Sequence, residues 1–233
     1  MSSDSKQNNV GKWIGFVVLT IAAGLIYRVP YLKTVFYDSL VETFHMSNTD
    51  VGKLMSAYSL TKTIIYIPGG ILADRFDNRK MLLGSVVLLV GCTFWYATIP
   101  SIGMLMIIQV LLAFSNVLFW VSFIKAIRMF GSEDEQGSIF GYSEGIRAVA
   151  GLLINFAALW VLDYFMSRAD QPLRYVLIFY GIVYVILGVA MVFLLPKEKE
   201  GQQTTVKSFK EYFTVLKYPG VWLVAALVLC AYS

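Results

Sequence analysis

The stretch GGILADRFDNRK, Gly69 to Lys80, lies between two long apolar runs. SAYSLTKTIIYIP precedes it and MLLGSVVLLVGCTFWYATI follows it. Five of its last seven residues carry charge: Asp74, Arg75, Asp77, Arg79 and Lys80. A connection this tight cannot carry its charges far from the apolar runs. It therefore marks a place where the chain touches water between two membrane spans.

Composition points the same way. The 233 residues are 58% hydrophobic and only 15% charged, with a mean hydropathy of +0.67. Soluble domains are nearer a quarter charged. A bilayer core of about 30 Å needs roughly 20 apolar residues per helix. Residues 13–36, 52–74, 81–99, 102–128, 138–163 and 174–195 each provide such a run. The first is too long for a signal-peptide core and has no small-residue cleavage site after it, so it is an uncleaved span. A seventh run, residues 220–233, offers about 21 Å of helix, too short to cross. The expectation is a longer protein cut inside its seventh helix.

The expected organisation is a cytoplasmic N-terminus at 1–12, a six-helix transmembrane bundle at 13–195 and a cytoplasmic linker at 196–219. The truncated seventh helix follows at 220–233. The linker is rich in Lys and Glu and partly amphipathic, as suits a segment on a membrane surface. Charge sets the orientation. With the N-terminus inside, the inner side holds Lys6, Lys12, Arg75, Arg79, Lys80, Lys125, Arg128 and the linker lysines. The outer side holds only Lys33, Lys53, Arg168 and Arg174. Basic residues gather on the cytoplasmic side, so the N-terminus is read as cytoplasmic.

Several chemistries find no support. His45 is the single histidine, in a polar connection without a metal-ligand partner, so no metal site is expected. Cys92 and Cys230 lie in apolar runs and read as buried free thiols. No nucleophile elbow or phosphate loop appears, so neither an enzyme nor a cofactor is expected. The net charge of +4 is too small and dispersed for nucleic acid.

Ionisable residues at membrane depth are costly and default to functional candidates. Span one holds Arg28, span two Lys62, and span five Glu144 and Arg147. Span four holds Gln109 and Asn116, while spans three and six have no charge between their ends. Spans one, two, four and five should then line a polar interior, with three and six peripheral. Helical spacing agrees, because each of the four carries one polar stripe: Thr20, Gly24, Arg28 and Tyr31; Ser59, Lys62 and Tyr66; Gln109, Asn116 and Trp120; Glu144, Arg147, Gly151 and Asn155. Arg28, Lys62 and Arg147 against Glu144 leave a net charge of about +2, which attracts anions. Ser47 to Asp50 has the pattern of a helix N-cap.

At Gly70 to Lys80 the chain resembles the loop between helices two and three of the major facilitator superfamily. That pattern runs G-x-L-A-D-R-x-G-R and closes on two basic residues. Gly70, Leu72, Ala73, Asp74, Arg75, Arg79 and Lys80 match it. Asp77 replaces the usual glycine and Asn78 the usual arginine. The resemblance implies an all-α integral membrane protein, with this chain as the six-helix N-terminal bundle of a twelve-helix fold. It also implies a conformational latch at Gly70, Asp74, Arg75, Arg79 and Lys80, whose basic residues pair with acids at the inner end of helix four. Glu133, Asp134 and Glu135 stand there, and Asp77 is expected to weaken the turn or add a competing charge. Within the superfamily, EDEQGSIFGYSEGIRAVAG, residues 133–151, is similar to the entry to helix five of organic-anion and organophosphate carriers. This places Arg147 where those carriers have a cavity-facing basic residue. Gln109 stands where many proton-coupled members have arginine, which argues against that form of coupling.

The expected function is secondary transport of a small organic anion (sugar acid, carboxylate or phosphate ester) by alternating access, in a plasma membrane of the bacterial inner-membrane type. Arg28, Lys62, Arg147, Tyr31 and Asn116 would bind substrate, and Glu144 would position Arg147 or carry a coupling proton. The partners implied are the anion, a coupling proton or exchanged anion, the lipid bilayer and a C-terminal six-helix half. A membrane receptor for such an anion, or a carrier of a neutral metabolite, is the alternative.

Overall fold

The computed structural model describes residues 3–195 and 218–232. It divides into two compact units, residues 1–199 and 200–233. The first contains α1 (Ser3–Leu25), α2 (Lys33–Phe44), α3 (Asn48–Arg75), α4 (Asn78–Tyr96), α5 (Ile102–Arg128), α6 (Gln136–Met166) and α7 (Pro172–Leu194). The second contains α8 (Pro219–Tyr232). The fold is all-α, as the apolar periodicity requires. The expected linker at 196–219 falls almost wholly outside the described residues.

Local chemistry sets the helix ends. Ser47 and Asp50 form a reciprocal capping box at the start of α3: the Asp50 amide donates to Ser47 Oγ at 3.2 Å and the Ser47 amide to Asp50 Oδ2 at 3.1 Å. Ser132 and Glu135 repeat the device at the turn Glu133–Glu135 before α6. Gln136 then closes the end of α5, donating from Nε2 to the carbonyls of Arg128 at 3.0 Å and Gly131 at 3.0 Å. Pro172 opens α7, where its missing N–H costs nothing. Asp77 is the N-cap of α4, accepting the Lys80 amide at 2.8 Å. The departure from glycine thus strengthens the turn it was expected to weaken, because a carboxylate satisfies a free N–H and favours the helix N-terminus.

Four helical stretches among the described residues are long and apolar enough to cross a membrane: α4, α5, Glu133–Met166 and α7. The sequence reading expects six spans, and the other two differ for physical reasons. Span one is broken. Pro30 has no N–H and its ring crowds the preceding turn, so α1 ends at Leu25 and α2 begins only at Lys33. Span two, α3, has 28 residues but carries Lys62 near its middle and Asp50, Lys53, Asp74 and Arg75 toward its ends, which lowers its hydropathy.

In the first unit α3 packs on α5, α5 on α4, α4 on α7, and α1 on both α6 and α7. Leu19, Leu105, Ile108, Leu112 and Leu177 are fully buried between them. At Gly24 the backbones of α1 and α6 come so close that a Cβ would lie 2.9 Å from the Arg147 carbonyl oxygen. α6 leaves Leu152, Leu153, Phe156 and Trp160 exposed on its far side. Cys92 is buried, whereas Cys230 is exposed on α8, which has no other described helix in its unit to pack against.

One end of the first unit collects cations. Lys12 Nζ lies 5.9 Å from the Phe130 ring centroid, and Lys125 Nζ donates to the Ala73 carbonyl at 3.4 Å. Arg79 Nη2 donates to the Val192 carbonyl. Ala73 and Val192 sit in the last turns of α3 and α7, where carbonyls lack helical partners and attract positive charge.

Candidate functional site

A cavity of about 360 Å³ lies where the break between α1 and α2 faces α6 and α7. Arg28, Tyr31, Glu144 and Arg147, four of the six residues the sequence assigns to substrate or coupling, line it together. Tyr27, Thr34, Asn155 and Tyr180 complete its polar wall.

The two arginines differ in state. Arg147 is paired with Glu144 one helical turn away, through Nη1 and Oε1. Its guanidinium carbon lies 4.6 Å from the Trp120 ring centroid, a cation–π contact that holds the plane on its other side. The Arg28 guanidinium has no hydrogen bond or ion pair among the described residues. Its guanidinium instead rests on Gly151, where any Cβ would collide with it. The Nε atoms of both arginines are buried without a partner. An unmet buried donor costs about 1–3 kcal/mol, and more on a charged group.

Lys62 does not line the cavity but stands behind one of its walls. Its Nζ lies 4.9 Å from the Tyr27 ring centroid, 5.8 Å from Tyr66 and 5.9 Å from Tyr58. It has no ion pair among the described residues, so three aromatic faces take the place of a carboxylate. Asn116 is fully buried and does not reach the cavity. Its Nδ2 donates to the Tyr58 hydroxyl at 2.8 Å, so it holds one ring of the Lys62 cage. Tyr31 links the two regions, packing edge-on against Tyr58 at 5.4 Å and against Tyr27 at 6.3 Å.

Tyr180 lies outside the sequence's candidates, because span six carries no charge and reads as peripheral. In the structure α7 brings Tyr180 into the cavity wall, 3.4 Å from Asn155 Oδ1. Two tyrosines four residues apart, Tyr180 and Tyr184, were the signal available. Pro30 likewise signalled the break that carries Arg28.

The loop of the charged signature lies at the basic end, away from the cavity. Asp74 is half-buried and Arg75 exposed in the last turn of α3, and Gly70 stands one turn earlier. Arg79 and Lys80 form no ion pair with Glu133, Asp134 or Glu135 among the described residues. Glu135 instead accepts from the Ser132 amide at 3.0 Å and hydroxyl at 2.8 Å, and Arg79 binds α7. Glu135 and Arg79 each meet a nearby hydrogen-bonding demand, which takes one side chain from either side of the expected pairing.

Residues 13–233 match the model of the Major Facilitator Superfamily. Inner membrane protein YqcE of Escherichia coli (strain K12) is 26% identical over 229 residues, 96% of this chain and 54% of that protein. Inner membrane protein YihN of the same organism is 26% identical over 229 residues, 95% of this chain and 54% of that protein. The chain spans about half the length of the curated relatives it matches. A bacterial homolog to the human lysosomal transporter Spinster, in an inward-facing and unoccupied conformation, aligns with a TM-score of 0.67 at 15% identity. That alignment covers 85% of this chain and 46% of the other. A charged loop at the end of α3, a bundle of apolar helices around a polar cavity and a family match from the first span onward agree, and this chain belongs to the Major Facilitator Superfamily.

Proposed function

We propose that this chain forms the N-terminal half of a secondary transporter for a small organic anion, a sugar acid, carboxylate or phosphate ester. Arg28 carries the reading: a guanidinium in a cavity wall with no carboxylate partner among the described residues, lining the same cavity as a second arginine. A guanidinium engages carboxylate or phosphate through two parallel bonds. Arg28 makes the primary contact. Arg147, held by Glu144 and Trp120, supplies the second, while Tyr31 and Tyr180 offer hydroxyls to the rest of the ligand. Lys62 adds positive potential from behind Tyr27, and Asn116 acts on it only through Tyr58. The resemblance of residues 133–151 to organophosphate and organic-anion carriers supports the same class. Glu144 is the coupling candidate, since protonation would release Arg147 to the anion.

The Gly70, Asp74, Arg75, Arg79 and Lys80 loop acts as the latch between halves, and the two halves rock about the cavity. Two relatives named as inner membrane proteins support a bacterial inner-membrane location. The cationic end of the bundle supports a cytoplasmic N-terminus.

The test is uptake of labelled sugar acids, carboxylates and phosphate esters by the full-length protein in proteoliposomes. Arg28→Ala and Arg147→Ala lose uptake at normal expression. Wild-type uptake in both variants rejects the anion site. A neutral-metabolite carrier is the second reading, favoured by the tyrosine lining and by Glu144 already neutralising Arg147. It predicts uptake of uncharged sugars that survives Arg28→Ala.

A further inference from the structure

The break between α1 and α2 has an internal plug. In a continuous helix the Val29 amide would donate to the Leu25 carbonyl. That bond is not made. The Leu25 carbonyl takes the Arg28 amide at 2.9 Å, a tighter three-residue turn. It also takes the hydroxyl of Tyr184 at 2.8 Å. Tyr184 reaches in from the middle of α7 and is 1% exposed. The phenol thus occupies the carbonyl end of a missing helical hydrogen bond. A side chain inserted into the helical ladder is a recognised cause of a kink. Farther along the break, Gln109 Nε2 approaches the Pro30 carbonyl at 3.5 Å.

Arg28 sits inside this break, and its own amide shares the Leu25 carbonyl with Tyr184. Its side-chain direction is therefore set by the tight turn. A helical turn advances 100° per residue and a three-residue turn 120°. Closing the break would rotate each of its residues by roughly 20°. That is enough to lift a long side chain off Gly151. Irregular backbone at membrane depth persists only where protein or a cavity satisfies it, and here a tyrosine of another helix does so.

We infer that Tyr184 is a positioning residue: its hydroxyl holds the α1–α2 break open and thereby aims Arg28 into the cavity. The inference rests on Arg28 being the anion contact, but its test does not. Removal of the hydroxyl in Tyr184→Phe frees the Leu25 carbonyl for the Val29 amide. Pro30→Ala acts from the other side by restoring an N–H for the Ile26 carbonyl.

The experiment uses the full-length protein in detergent with phenylglyoxal, an arginine reagent, and peptide mass spectrometry. The rates at Arg28 and Arg147 are read from the same sample. Tyr184→Phe is expected to change the Arg28:Arg147 ratio at least 5-fold, and Pro30→Ala to change it in the same direction. Amide hydrogen exchange at Val29 should slow in Tyr184→Phe as its helical bond forms. A protein merely loosened by the substitution would change both arginines together and speed exchange. An unchanged ratio with unchanged exchange in both variants overturns the inference. Uptake separates the two readings. If Arg28→Ala transports normally, the anion site fails while the ratio test still stands. If Arg28→Ala is dead and the ratio does not move, only the positioning role fails.

Discussion

Gly151→Ala separates folding from function in one methyl group. In an exposed or loosely packed helix interior this change stabilises by about 0.5–1 kcal/mol, because alanine loses less backbone freedom. Here the added Cβ would lie 3.0 Å from Arg28 Cζ and closer still to Nη2. Ordinary carbon contact begins near 3.5 Å, so the guanidinium must withdraw by roughly 1 Å or more. The obstacle is the far end of a flexible side chain, so the fold absorbs the change cheaply. The site does not, because such contacts tolerate about 0.5 Å of misplacement. Losing one charge-assisted bond to the ligand costs about 1.5–3 kcal/mol, a factor of roughly 10 to 100 in affinity. The expected outcome is a melting temperature equal to or above wild type, with KM for the transported anion raised at least 10-fold. The assay pairs thermal unfolding in detergent with initial-rate uptake in proteoliposomes. Wild-type KM in Gly151→Ala, alongside a dead Arg28→Ala, would show that Arg28 does not rest on Gly151 when it binds, and would refute the reasoning.

Three further outcomes are expected. Asp77→Ala removes the N-cap of α4 and costs about 1 kcal/mol, whereas Asp77→Gly, the residue usual in the loop pattern, costs only a few tenths; equal unfolding curves for Asp77→Ala and wild type would contradict the cap. Asn116→Ala leaves the buried Tyr58 hydroxyl without its 2.8 Å donor and lowers stability by about 1–3 kcal/mol, read by thermal unfolding. The Asp50 carboxyl is held below its usual range first by the Ser47 hydroxyl and then by Lys53. The Glu135 carboxyl is held low by the Ser132 backbone N–H and hydroxyl. A depressed folded-state value means the unfolded chain binds protons more readily, so this stabilisation is complete above about pH 5 and fades as pH falls further. Asp50→Asn with Glu135→Gln should flatten the acid limb of a stability-against-pH curve, and an unaltered limb counts against it.

What the sequence made legible follows from where its signals are local. Apolar length marked the helices, and the Ser47–Asp50 cap was visible because all its atoms lie within one turn. Helical spacing put Glu144 beside Arg147 for the same reason. Cross-helix consequences were harder to see. Asn116 reads as a cavity residue by its stripe, yet a 3.6-residue period gives only a direction, and the neighbour in that direction is Tyr58. Arg79 and Lys80 suggested ion pairs across the loop, but Glu135 was already committed to Ser132 and Arg79 found the open carbonyls of α7. Charge type predicted attraction correctly and the partner wrongly, since free helix-end carbonyls compete with carboxylates at the same surface.

The same lesson bears on how the cavity is built. Searching for buried charge finds Arg28 and Arg147 but not what orients them, because orienting groups need no charge. Arg147 takes its place from Glu144 and Trp120, and Arg28 from a glycine and a backbone break. A charged partner for Arg28 would fix it equally well, but it would also neutralise it and compete with an arriving anion. Holding a cation by shape, with Gly151 below it and a plugged helix break behind it, leaves its charge available. Glu144 beside Arg147 does the opposite. The cavity therefore joins one arginine kept free by packing to one kept occupied by a carboxylate. An anion that displaces Glu144 from Arg147 gains the second contact only by freeing that carboxylate. Glu144 and the anion then compete for Arg147. Glu144→Gln removes the competing charge and should bind the anion more tightly than wild type, measured by ligand-induced thermal stabilisation of the full-length protein. Equal stabilisation of the two proteins would show that Glu144 does not hold Arg147 back from the anion.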